Sequence, residues 1–73
     1  MNKLKKIVKK FKKVSDKQED VVLYMEEKEE GYNVIINGEN GVEDSFEIDK
    51  EMKSKLVELL DRNNMEYFES QSA

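Results

Sequence analysis

The chain contains no cysteine, histidine, proline or tryptophan. Without cysteine, disulfides and thiolate metal sites are excluded. Without histidine, the commonest general base and the commonest transition-metal ligand are both missing. Ser15, Ser45, Ser54, Ser70 and Ser72 therefore have no imidazole to activate them. Long apolar runs are missing too. In the basic opening segment lysine interrupts every one or two positions, which the apolar core of a secretory signal does not tolerate. Nothing approaches the roughly twenty apolar residues of a membrane span. These absences predict a cytoplasmic, non-catalytic protein that carries no metal and no cofactor.

What is present suits a single domain over residues 1–73, near the lower size at which one core is stable unaided. Charged residues make up 41% and apolar residues 37%, which implies a thin core under a heavily solvated surface. The apolar residues are periodically placed, and that argues against disorder. The charge is unevenly distributed. The first fourteen residues, MNKLKKIVKKFKKV, hold seven lysines and no acidic side chain, whereas the remaining fifty-nine hold seventeen Asp and Glu against six Lys and Arg. Arg62 is the single arginine beside twelve lysines and six asparagines, a bias that points to an AT-rich genome and hence a bacterial or phage source.

The periodicity gives a layout of α-β-β-β-α-β. On a helical wheel, Leu4, Ile7, Val8, Phe11 and Val14 fall within an arc of about 120° and lysine fills the rest, so an amphipathic helix is predicted over 3–14. From residue 20 the period changes to two. A first strand over 20–26 places Val21, Leu23 and Met25 on one face and Val22 and Tyr24 on the other. Gly31 is expected to close a turn with positive φ, and a second strand follows over 32–37. Two Asn-Gly steps in NGENG signal a hairpin into a third strand over 42–48. There Val42, Phe46 and Ile48 alternate with Glu43, Ser45 and Glu47, and Asp44 interrupts the apolar row, as at a sheet edge or bulge. Asp49 fits the N-cap of a second helix over 50–63, stopped by Asn63-Asn64, and a short strand is expected at 65–68. The fold class is therefore a two-layer α+β domain, an antiparallel sheet of three or four strands packed by two amphipathic helices.

Known functional motifs fail on their residues. The G-x-x-G outline of Gly38–Gly41 sits between strands and is acidic, unlike a phosphate-clamping loop between helices. An EF-hand reading that ends on Gly38 places Ile35 where an oxygen ligand is needed. Two surfaces remain. If both helices cover one sheet face, the other presents Val22, Tyr24, Glu26, Asn33, Ile35, Glu43, Ser45 and Glu47, a mixed apolar and acidic surface suited to a basic protein. Tyr24 is then the anchor, Ile35 adds apolar area, and Glu26, Glu43 and Glu47 supply charge, with Asp44 at the edge. With one helix on each face, that surface disappears.

The expected function is thus a small protein-binding module. Small acidic α+β chains of this build occur among phage and mobile-element inhibitors and adaptors that dock on nucleic-acid-handling proteins, an analogy of build and not of motif. A homodimer through the open face is a further expectation. The alternative puts binding on the basic helix, through Lys5, Lys6, Lys9, Lys12 and Lys13, to nucleic acid or an anionic membrane.

Overall fold

In the computed structural model, which describes residues 2–70, the basic segment forms helix α1, Lys3–Lys17. Its like charges oppose it. Eight lysine pairs stand at i,i+3 or i,i+4, each costing about 0.2–0.5 kcal/mol, so roughly 2–4 kcal/mol in all. The first turn also has no acidic residue to meet the helix dipole. Burial of Leu4, Ile7, Phe11 and Val14, at about 1.5–3 kcal/mol each, outweighs that repulsion. Asn2 caps the start, its side chain accepting from the Leu4 N–H at 2.9 Å. The helix runs three residues past the expected end at Val14, because its far end is held by tertiary contacts. Gln18 takes an extended backbone and donates its N–H to the Val14 carbonyl at 3.0 Å. Its side-chain amide accepts from the Glu39 N–H at 2.7 Å and donates to the Glu43 carboxylate at 3.2 Å.

Strands β1 (Val22–Glu27), β2 (Gly31–Gly38) and β3 (Gly41–Asp49) form an antiparallel meander. Helix α2 (Lys50–Arg62) follows directly, with the Asp49 carboxylate accepting from the Met52 N–H at 2.8 Å. Asn63 closes it and Asn64 takes φ of 54°, as the Asn-Asn stop predicts. The last strand, β4 (Phe68–Ser70), lies later than the expected 65–68 because half-buried Met65 and Tyr67 connect α2 to it along the core. It pairs parallel to β1, giving the order β3-β2-β1-β4 and a mixed sheet instead of a wholly antiparallel one. The α-β-β-β-α-β order and α+β class are as the sequence implies.

Two turns reach the expected topology by other means. Gly31 has no positive φ. It lies within β2, where a Cβ would collide with the Ile48 carbonyl oxygen, so close strand approach is what requires glycine. In the second hairpin neither Asn-Gly step forms the central pair. Glu39 and Asn40 turn the chain with negative φ, and Gly41, at φ of 113°, carries the unusual backbone.

Both helices lie on one face of the sheet and pack on each other. Leu23, Met25, Val34, Ile36 and Ile48 from the strands join Leu56 and Leu60 of α2 and the four buried residues of α1 in a single core. The arrangement with one helix on each face is excluded, and among the described residues the opposite sheet face is left uncovered. No helix among the described residues is long and apolar enough to cross a membrane.

Candidate functional site

The uncovered face is built from alternate residues of four strands. Register sets three rows across it: Val22–Asn37–Val42, Tyr24–Ile35–Ser45 and Glu26–Asn33–Glu47. Phe68 stands opposite Tyr24 on β4. The two rings lie 6.0 Å apart between centroids and are tilted by 37°, a separation typical of interacting aromatic pairs. Tyr24, Val42 and Phe68 are the exposed large hydrophobic residues of the described chain, at 37%, 66% and 54%. Val22 and Ile35 beside them are half-buried. An open antiparallel face is ordinarily polar; this one carries Val22, Val42, Tyr24 and Ile35 in two rows, broken by Asn37 and Ser45, and is acidic only in the third, where Glu26 and Glu47 flank Asn33.

Two of the sequence-based assignments are corrected by one irregularity, and the expected edge-or-bulge position of Asp44 is met. The register between β2 and β3 shifts at Ile36/Asn37, so that Ile36 faces Asp44 and Asn37 faces Val42, with Glu43 as the extra residue. A bulge of this kind reverses the alternation beyond it. Val42, expected in the buried row with Phe46 and Ile48, is therefore on the open face. Glu43, expected on the open face, instead accepts from Gln18 at the end of α1. Asp44 is half-buried on edge strand β3, beside the bulge, and accepts from the Ser45 N–H at 2.9 Å. Tyr24, Glu26, Ile35 and Glu47 are brought together on the open face as expected. Phe68 and Val42 are the members that sequence reasoning missed: one needed the β4 pairing, the other the bulge.

The position of Phe68 depends on the covered side of the same strand. Glu69 pairs in register with core residue Met25, and its carboxylate forms an ion pair with the Lys53 ammonium of α2. That ammonium also lies 5.3 Å from the centroid of the Tyr32 ring. The Glu69 hydrogen bond holds the Lys53 pKa above its ordinary value, against the opposing effect of burial. Helix α2 thus ties down β4 from beneath and presents Phe68 above.

The lysines of α1 form the second candidate surface. Lys5, Lys6, Lys9, Lys12 and Lys13 are all exposed, with Lys10 half-buried. Among the described residues no carboxylate forms an ion pair with any of them. A shallow cleft of about 700 Å³ adjoins the start of α1, lined by Lys3, Lys28, Glu30, Tyr32 and Asp49 among others. It opens widely to solvent, and Asp49 there caps α2. Comparison of the chain with known protein families, with characterised proteins and with solved structures finds no match.

Proposed function

We propose that the chain is a non-catalytic protein-binding module that docks its open sheet face on a basic protein surface. One observation carries this reading: the Tyr24 and Phe68 rings meet on the same face as Val22, Ile35 and Val42, a face that no described element covers, with Glu26 and Glu47 at one end. Contiguous apolar residues rimmed by polar ones mark interaction surfaces, whereas single exposed ones do not. Aromatic anchors supply the affinity, and carboxylates at the rim select a basic partner. A partner whose basic surface ordinarily holds nucleic acid suits the charge, and the module then acts as an inhibitor or adaptor.

The test uses lysate of the source cell and the full chain. A basic protein captured by the unaltered chain is expected to be lost with Tyr24→Ser/Phe68→Ser, since removal of an anchor costs about 2 kcal/mol or more, roughly thirtyfold in affinity. Glu26→Lys/Glu47→Lys is expected to lose it as well. Capture of the same proteins by both variants overturns the proposal, as does a solution mass of a dimer that Phe68→Ser dissolves.

A further inference from the structure

The fold sorts charge between its two layers. Helices α1 and α2 together carry twelve Lys and Arg against four Asp and Glu, while the strands and connections carry only Lys28 against thirteen acidic residues. In sequence terms the acidic majority opposes the approach of any polyanion to α1. In three dimensions that charge is sorted away from most of α1: most carboxylates lie on the strands and connections, and of these Glu39 and Glu43 reach the C-terminal end of the helix at Gln18. The exposed lysines of α1, without an ion pair among the described residues, act as a local cationic field.

We propose that the outer face of α1 binds the phosphate backbone of duplex DNA through Lys5, Lys6, Lys9, Lys12 and Lys13, without reading sequence. The structure discriminates among polyanions. Insertion into a bilayer requires the apolar stripe of an interfacial helix, and in α1 that stripe, Leu4, Ile7, Phe11 and Val14, lies inside the core. Single-stranded nucleic acid is held by aromatic stacking platforms, and the one aromatic of α1, Phe11, is 5% exposed. The 15-residue helix is about 22 Å long, enough to span the roughly 12 Å major groove of B-DNA and reach phosphates on both walls. Lysine supplies point charges without the bidentate base contacts of arginine, so the binding is sequence-independent.

This surface lies on the opposite layer from the open sheet face, and the two proposals fail separately. The probe is a fluorescein-labelled duplex of random sequence, about 20 base pairs long, titrated by anisotropy at several salt concentrations. Five phosphate contacts predict a slope of log affinity on log salt near −4.5, about a 500-fold loss between roughly 50 and 200 mM. Lys5→Gln/Lys9→Gln/Lys13→Gln is expected to reduce the slope to about −2. The matching triple arginine variant keeps both the charge and the binding, and circular dichroism of each variant reports its fold. Tyr24→Ser/Phe68→Ser keeps DNA binding whatever it does to protein capture. Absence of duplex binding at low salt overturns the proposal. So does an unchanged slope in a folded glutamine variant, or binding to phosphatidylserine vesicles without binding to duplex.

Discussion

If α1 is part of the core, replacing one of its buried side chains must destabilise the whole domain, and Ile7→Ala measures this. Ile7 is fully buried at 0% exposure, packed in the same cluster as Leu56 and Leu60 of α2 and the strand residues. Truncation of a buried isoleucine to alanine costs about 2–5 kcal/mol, the lost transfer energy adding to the cavity left behind. A domain of 73 residues has a total stability of about 4–11 kcal/mol at typical values per residue. The substitution therefore removes a large share of it. With a urea dependence near 1 kcal/mol per molar, expected at this size, the unfolding midpoint falls by about 2–5 M. Circular dichroism against urea reads that midpoint directly. Lys9→Ala on the exposed side of the same helix is the control, and its effect stays within about 0.5 kcal/mol. Were Ile7→Ala to unfold within about 0.5 M of the unaltered chain, α1 would be detachable and its assignment to the core would be wrong.

Two further substitutions check how the sheet is held. Gly31→Ala puts a Cβ against the Ile48 carbonyl oxygen, a backbone atom that cannot turn aside, and is expected to lower stability by more than about 1 kcal/mol. A melting temperature equal to that of the unaltered chain contradicts it. Lys53→Gln removes the ion pair to Glu69 and is expected to cost under about 1 kcal/mol at neutral pH, as partly solvated pairs do. The Lys53 pKa is raised in the folded state, so this contribution is fully present below the ordinary lysine pKa and disappears as pH climbs through the raised value. Chemical denaturation of variant and unaltered chain should therefore differ at neutral pH and converge at strongly alkaline pH. A difference that grows with pH reverses the sign and refutes the assignment.

Charge segregation also accounts for how α1 tolerates its composition. Its repulsion is offset by apolar burial, so the helix depends on tertiary packing and not on its own propensity. The same dependence leaves Lys5, Lys6, Lys9, Lys12 and Lys13 exposed, with no ion pair among the described residues. The twelve-to-four excess of base in the helical layer leaves few carboxylates beside them, and Glu39 and Glu43 from the sheet side reach α1 only at its C-terminal end, through Gln18.

The sequence by itself determined the element types and their order. Period-two and period-3.6 patterns record which side of each element faces the core, and that is a local property of Leu4, Ile7 and Phe11 in α1 or of Leu23 and Met25 in β1. The caps at Asp49 and Asn63 are local as well, since a side chain and a backbone group within a few residues make them. Tertiary structure alone decided the composition of the open face. That both helices share one face follows from the packing of α1 on α2 across more than thirty residues of chain. The bulge at Glu43 is invisible to a binary pattern, because an inserted residue is defined only against its partner strand. It exchanged Val42 for Glu43 on the open face. Phe68 joined Tyr24 through a parallel pairing of three residues, held from beneath by Lys53 and Glu69. Alternation states which residues share a side of one strand; only hydrogen-bonded register states which strands stand together.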